Sequence, residues 1–244
     1  MTESVIILEN VTLRFPKLKG ILSMIKDKIT KKNTSFTALK EIDLDIKSGE
    51  VFGLIGKNGS GKSTILRVIS GIYPPDEGQC KVAGKISLLA GLGTGFSGHQ
   101  TGVENALLYG SILGHNESEM QEKLPEIIDF SELGSFIDEP IRTYSAGMKA
   151  RLGLAVATAI KPDILLIDEV LGVGDPQFRD KSKARILSLV KDTSTVVMVS
   201  HSFGLMKDIC DRIGVINKGK LVMIGTPDEA IAAYYDLDNG GTLD

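Results

Sequence analysis

The sequence has few cysteines, no long apolar run and no signal peptide. Its two cysteines, Cys80 and Cys210, lie far apart and lack C-x-x-C spacing. This argues against a disulfide framework or a zinc site and suits a reducing cytoplasm. The N-terminus lacks the basic and apolar regions of a signal peptide, and no run approaches the roughly 18 apolar residues of a membrane span. We therefore expect a chain that does not itself cross a membrane.

The sequence also lacks the excess of positive charge that is typical of nucleic-acid-binding proteins. Lys and Arg number 28 against 31 Asp and Glu, which gives a net charge of −3. We therefore predict no nucleic-acid partner. A length of 244 residues with 42% hydrophobic content is sufficient for one substantial core. We predict a single domain over residues 1–244.

A glycine-rich stretch between an apolar strand and a helix carries the strongest functional signal. Residues 51–64 read VFGLIGKNGSGKST and meet the spacing G-x-x-x-x-G-K-[ST] of a phosphate-binding loop. In that motif backbone N–H groups surround the phosphates of a nucleotide, the lysine reaches the β- and γ-phosphates, and the next hydroxyl binds Mg²⁺. The alternative is a glycine-rich turn that only closes a strand. The residues predicted to bind the nucleotide are Gly56, Lys57, Asn58, Gly59, Ser60, Gly61, Lys62, Ser63 and Thr64.

Two acidic residues and a histidine follow apolar strands later in the chain. DILLIDE ends with Asp168 and Glu169, and His201 follows the strand predicted over 195–200. A phosphate loop needs a carboxylate at a neighbouring strand end to hold the metal, so Ser63 and Asp168 are the predicted Mg²⁺ residues. Glu169 is predicted to polarise the attacking water, and His201 to hydrogen-bond the γ-phosphate. The alternatives are a capping pair of acids and a structural histidine.

The order of the predicted elements indicates an α/β fold. Two nearly all-apolar strands, at 164–167 and 195–200, flank a predicted helix at 181–191, as in a parallel sheet buried on both faces. We predict an α/β core with a parallel sheet that carries the phosphate loop. The other predicted elements are strands at 5–15 and 38–46, short strands within 81–90 and 212–222, and helices at 63–70, 101–113, 118–130, 145–160 and 227–235.

A second glycine-rich run matches the dinucleotide-binding pattern G-x-G-x-x-G. Its glycines are Gly93, Gly95 and Gly98. No helix is predicted to open directly after them, as that motif requires. We interpret this run as a flexible connector.

Residues 17–32 have the pattern of a basic amphipathic helix. They contain six lysines and one aspartate. Their apolar residues at helical spacing are Leu18, Ile21, Leu22, Ile25 and Ile29. One interpretation is a helix that lies on a membrane surface, and the other is an ordinary surface helix with a solvated lysine face.

Over nearly its whole length the chain resembles the nucleotide-binding subunits of ABC transporters. Residues 144–148, YSAGM, followed by Arg151, are similar to the family's signature LSGGQ…R at a helix N-terminus. Three of the five positions differ, whereas Ser145 and Gly147 are retained. The resemblance implies that ATP and Mg²⁺ are bound and that Ser145 and Gly147 contact ATP held by a second copy in a head-to-tail dimer. Asp175 matches the family's D-loop aspartate.

Two positions of the family pattern are left open. The family places a glutamine before its helical subdomain, at a position that falls near Gly91 here, and Gln100 is the nearest glutamine. The residue that couples ATP to the membrane subunit therefore has no assignment, although residues 91–96 are the expected segment. Phe15 best matches the family's aromatic residue that stacks on adenine, and Phe36 is the second candidate.

The resemblance also implies an α/β fold with a phosphate-loop NTPase core of the RecA-like type and its parallel sheet, an antiparallel β subdomain and a helical subdomain. Residues 1–90 and 156–244 correspond to the phosphate-loop core with its β subdomain, and residues 91–155 to the helical subdomain with the signature. Residues 16–37 form a basic insertion between the first two strands.

Three segments resemble more narrowly the ATPases that export lipid-linked cell-surface polysaccharides. They are TGVEN, YSAGMKARLGLAVA and DEVLGVGDPQF. This resemblance implies an ATP hydrolase and translocase at the cytoplasmic face of the cell membrane, with a separate transmembrane permease in two copies and a membrane contact through residues 17–32. Wall teichoic acid is the first candidate substrate, and O-antigen or capsular polysaccharide is the alternative.

Two competing classes explain fewer of these features. A soluble ABC ATPase acting on DNA or ribosomes usually has two ATPase units or a long coiled-coil insertion, and the sequence shows neither. A phosphate-loop kinase or GTPase would leave residues 144–148, Asp175 and His201 without roles, and the guanine-reading pattern N-K-x-D is absent.

Overall fold

A computed structural model describes most of the chain. The described residues are 3–16, 35–168, 176–193 and 195–238. Three of the sequence predictions, the basic segment 17–32, Glu169 and Asp175, lie outside these ranges. The described residues form two compact units. Unit 1 comprises residues 3–16, 35–48, 52–83 and 201–238, and unit 2 comprises residues 49–51, 84–168, 176–193 and 195–200.

The described elements alternate between strands and helices in the order expected of an α/β chain. The strands are β1 Ser4–Pro16, β2 Ser35–Lys47, β3 Val51–Ile55, β4 Glu77–Val82, β5 Ile86–Leu89, β6 Ile164–Asp168, β7 Thr195–Val199, β8 Arg212–Asn217 and β9 Lys220–Gly225. The helices are α1 Lys62–Ile69, α2 Gly102–Ile112, α3 Glu117–Ser131, α4 Ala146–Ala157, α5 Pro176–Asp192, α6 Phe203–Ile209 and α7 Pro227–Asp238.

Unit 1 contains the predicted antiparallel β sheet. Strands β2, β1 and β4 pair in that order and are antiparallel. The second half of β2 alternates strictly, with Ile42, Leu44 and Ile46 buried and the residues between them exposed, so one face of the sheet covers a core. Unit 1 also holds residues 52–55 of β3, which pair in parallel with β8, and β8 pairs antiparallel with β9.

Unit 2 combines parallel strands with four helices. Strands β5, β6 and β7 are parallel neighbours in that order. The residues of β7 are all buried, and in β6 only the last residue, Asp168, is partly exposed. The prediction that these two strands are covered on both faces is therefore confirmed. Capping boxes begin α2 at Thr101 and Glu104 and α3 at Asn116 and Glu119, which fixes where these two helices start.

Helices α5, α6 and α7 differ from the sequence prediction. Helix α5 was predicted over 181–191 but begins at Pro176, because a proline is compatible with the first turn of a helix. Helix α6 was not predicted, since it has seven residues and buries Met206 as its one fully covered side chain. Helix α7 extends the predicted helix at 227–235 to Asp238. Unit 2 contains β5, β6 and β7 together with helices α2 to α5. The boundaries of the two units therefore do not test the predicted division into a core and a helical subdomain, which stays a prediction.

None of the helices in the described ranges combines the length and the apolar character that a membrane span requires.

Candidate functional site

The predicted phosphate loop connects β3 with α1 in unit 1. Gly56 begins it with φ of 153°, and a Cβ atom there would lie 2.2 Å from the carbonyl oxygen of Ile216 in β8. The amide of Gly219 donates to the carbonyl oxygen of Ser60 at 2.8 Å, and the amide of Ser60 donates to that of Lys57 at 3.1 Å. The loop is thus held against β8 and the turn that follows it. A side chain at position 56 would displace the loop.

Lys62 is enclosed by this loop. The residue is 7% exposed, and its ammonium donates to the carbonyl oxygens of Gly56 at 2.7 Å and Lys57 at 3.1 Å. A buried ammonium is costly without compensation, and these two carbonyl oxygens provide part of it. The ammonium places positive charge at the N-terminus of α1, and the helix dipole adds to that charge. The arrangement fits the phosphates of a nucleotide.

The remaining residues of the loop divide by exposure. Lys57, Asn58 and Gly59 are exposed, whereas Ser60 is buried and its Oγ atom has no hydrogen-bond partner within the described residues. Ser63 and Thr64 lie half-buried in the first turn of α1. Because hydroxyl oxygens are hard ligands, Ser63 fits a role in holding Mg²⁺.

The two candidate aromatic residues for adenine lie side by side. Phe15 and Phe36 are paired across β1 and β2. The ring of Phe15 is half-buried and meets the edge of Tyr73, with centroids 5.3 Å apart. Phe36 is 53% exposed. The predicted Phe15 therefore already has a ring neighbour, and Phe36 has the more accessible ring.

His201 is an exposed residue of unit 1. Ser202 separates it from Phe203, the first residue of α6. Its predicted contact with the γ-phosphate stays a prediction.

The signature-like segment lies at the start of α4 in unit 2. Ser145 is the N-cap, and its hydroxyl accepts a hydrogen bond from the amide of Met148 at 3.1 Å. Gly147 lies in the first turn. Tyr144, where the family signature begins with leucine, is buried, and its hydroxyl donates to the carbonyl oxygen of Phe136 at 2.5 Å. Burial raises the pKa of Tyr144 to about 12, so the hydroxyl keeps its proton. Tyr144 thus occupies the position of the family's leucine, and its buried hydroxyl has a hydrogen-bond partner.

The glycine-rich connector packs directly on this helix. A Cβ atom at Gly153 of α4 would lie 2.6 Å from the backbone nitrogen of Gly93. The amide of Thr94 donates to the carbonyl oxygen of Gly91, and the ring of Phe96 meets that of Tyr109 with centroids 5.4 Å apart. The segment is therefore a turn fitted against α4. Gly153 lets the two backbones approach.

One asparagine organises the end of the same connector. Asn105 of α2 is fully buried, and its Oδ1 accepts from the amide of Ser97 at 2.7 Å. Its Nδ2 donates to the carbonyl oxygens of Ser97, Gln100 and Thr101 at 2.8 to 3.1 Å. Ile141, shortly before the signature-like segment, donates its amide to Gln100. Sequence reasoning did not identify this role of Asn105, although the capping box beside it was a visible signal.

Asp168, the predicted metal residue of unit 2, ends β6. It is half-buried and is aligned with Val199 of β7. A carboxylate at this position fits Mg²⁺, which is usually held by one or two carboxylates together with substrate phosphates. Among the described residues no group of three or more His, Cys, Asp or Glu side chains could hold a metal ion. Ser63 and Asp168 belong to different units, so their shared site stays a prediction.

Comparison with known proteins places these features in a family. The family model described as "ABC transporter" matches residues 39–172. The O-antigen export system ATP-binding protein RfbB of Myxococcus xanthus is 48% identical over 200 residues, which are 82% of this chain and 46% of the relative. The teichoic acids export ATP-binding protein TagH of Enterococcus faecalis is 41% identical over 221 residues, 91% of this chain and 48% of the relative. The chain thus spans about half the length of these two relatives.

A third relative and two solved structures match over greater shares of their length. RfbB of Klebsiella pneumoniae is 40% identical over 240 residues, 95% of this chain and 98% of the relative. An ATP-binding subunit of an ABC transporter superimposes with a TM-score of 0.72 at 18% identity, covering 95% of this chain and 93% of that one. A dimeric ATP-binding cassette with bound ADP and phosphate superimposes with a TM-score of 0.68 at 24% identity, covering 91% of this chain and 98% of that one. These structures confirm the predicted α/β fold. The family match and the three relatives show that the chain belongs to the ABC transporter family.

Proposed function

We propose that the chain is the ATP-binding and hydrolysing subunit of an ABC exporter that moves a lipid-linked cell-surface polysaccharide across the cytoplasmic membrane. The observation that carries this proposal is the Lys62 ammonium enclosed by a glycine-rich loop at the N-terminus of α1. In a member of this family, such a loop is suited to the triphosphate of ATP. The names of the relatives, O-antigen and teichoic acids export ATP-binding proteins, support export as the work that ATP drives.

The chemistry proposed for the site is hydrolysis of the γ-phosphate. Ser63 and Asp168 would hold Mg²⁺, which when bound offsets negative charge on the phosphates. Glu169 orients and polarises the attacking water, and His201 donates a hydrogen bond to the γ-phosphate. Phe15 stacks on the adenine. Phosphoryl transfer depends mainly on positioning and charge, and these are what the proposed residues supply.

A second copy of the chain would complete the site. We assign Ser145, Gly147 and Asp175 to the ATP held by the other copy, in a head-to-tail dimer. The position of Ser145 supports this assignment, because it is an exposed cap at the N-terminus of α4, where a helix attracts an anion.

The proposed membrane partner is a separate permease in two copies. The chain would work at the cytoplasmic face of the membrane, and the basic segment 17–32 would touch the membrane surface. That segment lies outside the described residues, so its membrane contact rests on the sequence pattern.

Wall teichoic acid is the proposed polymer, and O-antigen is the second candidate. The TagH relative of Enterococcus faecalis, matched over 91% of this chain, supports the first. The second is favoured by RfbB of Klebsiella pneumoniae, since this chain spans 98% of that relative. The two candidates share a lipid-linked sugar polymer as substrate and differ in its phosphate content.

The test is depletion of the chain in its native host, followed by analysis of the surface polymers. Loss of a phosphate-rich wall polymer, with a lipid-linked form retained inside the cell, is the outcome expected for teichoic acid. Loss of a polysaccharide poor in phosphate would replace teichoic acid by the second candidate. The unaltered chain should restore export and the Glu169→Gln variant should not. Surface polymers that are unchanged by depletion would overturn the proposal.

A further inference from the structure

The last helix of unit 1 makes an ion pair with the phosphate loop. The Nζ atom of Lys57 lies 2.7 Å from Oδ1 of Asp238, the final residue of α7. Lys57 directly follows Gly56, and its carbonyl oxygen accepts from the Lys62 ammonium. The carboxylate of α7 thus reaches a cation of the loop that is proposed to bind the nucleotide.

Helix α7 is anchored in unit 1 through one of its faces. Its residues Ala230 and Ala233 are buried. Tyr234 and Tyr235 both contact the ring of Phe203, with centroids 5.2 Å and 5.7 Å away. These contacts extend along α7 to Tyr235, three residues before Asp238, so the helix that carries the carboxylate is anchored close to it.

The position of Asp238 is unfavourable for the helix that carries it. The last turn of α7 contains Asp236 and Asp238 and no basic residue. The C-terminus of a helix is the negative end of its dipole, so acidic residues there are disfavoured. Pairing with Lys57 offsets part of that cost. The hydrogen bond and charge of Asp238 also raise the pKa of Lys57, which keeps the ammonium protonated.

We propose that Asp238 competes with the phosphates of the nucleotide for the Lys57 ammonium, so that α7 sets the nucleotide affinity of the phosphate loop. The loop attracts a polyanion through its positive charge, and an ammonium already paired with a carboxylate attracts it less. Asp238 acts through Lys57 and is a positioning residue. The inference rests on the proposed function, because it concerns the affinity of the same nucleotide site.

The test compares nucleotide binding by the unaltered chain and by Asp238→Asn. Titration with ADP and with a non-hydrolysable ATP analogue gives Kd for each nucleotide. At low salt, Asp238→Asn should bind both about two- to fivefold more tightly, since exposed charge pairs act weakly and are screened by salt. The gain should shrink toward 0.5 M salt, where the Debye length falls to about 4 Å. In steady-state hydrolysis KM should fall while kcat is unchanged.

Asp236→Asn is the matched control. Asp236 is an exposed residue of the same last turn, and its replacement removes the same charge and gives the same relief to the helix dipole. It should leave Kd unchanged. An equal fall in Kd in Asp236→Asn and Asp238→Asn would show that binding responds only to the net charge of the chain, and it would overturn the proposal. Thermal unfolding of both variants checks that the fold is intact.

A double-mutant cycle with Lys57→Gln tests the competition itself. Lys57→Gln alone should weaken binding, and adding Asp238→Asn to it should then have no effect. The same gain from Asp238→Asn in both backgrounds, or no gain in either, would overturn the inference. Absence of nucleotide binding by the unaltered chain would overturn the proposed function as well. Binding that is insensitive to Asp238→Asn would overturn the inference alone.

Discussion

At the scale of single residues, satisfied polar groups fix the loops around the signature-like segment. Tyr144 stands where the family signature has a leucine, and its hydroxyl donates to the carbonyl oxygen of Phe136. The same carbonyl oxygen also accepts from the amide of Glu139 at 2.9 Å, so the phenol adds a second hydrogen bond to it. A buried hydroxyl without a partner is costly, and this contact satisfies the hydroxyl of Tyr144.

Replacing Tyr144 with phenylalanine tests this contact. The ring is kept and the hydroxyl is lost, which leaves the Phe136 carbonyl oxygen without this donor. The amide of Glu139 still donates to that oxygen, so we expect the free energy of unfolding at neutral pH to fall by about 0.5–1.5 kcal/mol, measured by urea denaturation. Tyr109→Phe, at a second buried tyrosine of unit 2, is a comparison for loss of a phenol in general.

The pKa of Tyr144 adds a pH dependence to the same test. In the folded chain burial raises the pKa of Tyr144 to about 12, whereas the ordinary pKa of tyrosine is about 10, so the unfolded chain loses this proton first as the pH rises. The contribution is fully present below pH 10 and is lost progressively toward pH 12. Tyr144→Phe should therefore show a shallower loss of stability over that interval. The same dependence of unfolding free energy on pH between 10 and 12 in both proteins would contradict the assignment of a raised pKa to Tyr144.

At the scale of elements, the glycine-rich connector and α4 form one packed body within unit 2. Gly153 permits backbone contact with residues 92–93, and Asn105 ties the end of the connector to α2. The amide of Arg142 donates to the carbonyl oxygen of Gly98, and Ser145 follows three residues later. A displacement of the connector would therefore be passed to the helix that carries the signature-like residues.

Gly153→Ala should disturb this packing. The added methyl group meets backbone atoms that cannot rotate away, so we expect a loss of about 1–3 kcal/mol in unfolding free energy. Gly204→Ala in α6 is the control. Apart from its chain neighbours and its own helix backbone, no described residue lies within 4 Å of a Cβ there, and alanine favours a helix by up to about 1 kcal/mol. Urea denaturation of both variants measures the difference. Equal stabilities would contradict the close approach of the connector to α4.

Asn105→Asp tests the hydrogen bonds that join α2 to the end of the glycine-rich connector. Aspartate keeps an acceptor for the amide of Ser97 but loses the three donated hydrogen bonds and buries a carboxylate among carbonyl oxygens. We expect a loss of at least about 2 kcal/mol in unfolding free energy at neutral pH. Lowering the pH should recover part of it, because the protonated carboxyl group can donate again. Stability that does not depend on pH would argue against burial of this side chain.

At the scale of the whole molecule, the sequence predicts what is periodic and misses what is assembled from distant residues. Strands β6 and β7 were predicted because nearly every residue in them is apolar, and α2 because its pattern is local. Helix α6 is too short for a period to be visible. The pairing of Lys57 with Asp238 joins residues far apart in the chain, so no local pattern indicates it.

The site shows the same division. The phosphate loop could be predicted from spacing alone, since its glycines, lysine and hydroxyl follow one another in the chain. The choice between Phe15 and Phe36 could not, because the two residues become neighbours only when β1 pairs with β2. The fit of residues 91–96 against α4 depends likewise on a contact with Gly153 that the spacing does not encode.

The last prediction concerns the working assembly and its proposed catalytic glutamate. Glu169→Gln should abolish ATP hydrolysis, because glutamine cannot polarise the attacking water, while the phosphate loop still binds ATP. ATP then persists in the site, and a head-to-tail dimer held by ATP should accumulate. Sedimentation with and without ATP, beside a phosphate-release assay, measures both effects. Lys62→Ala is the control, since it removes the enclosed ammonium and should show neither hydrolysis nor an ATP-dependent dimer. Hydrolysis at the unaltered rate in Glu169→Gln would exclude this glutamate as the base, and a monomer with ATP bound would exclude the shared site.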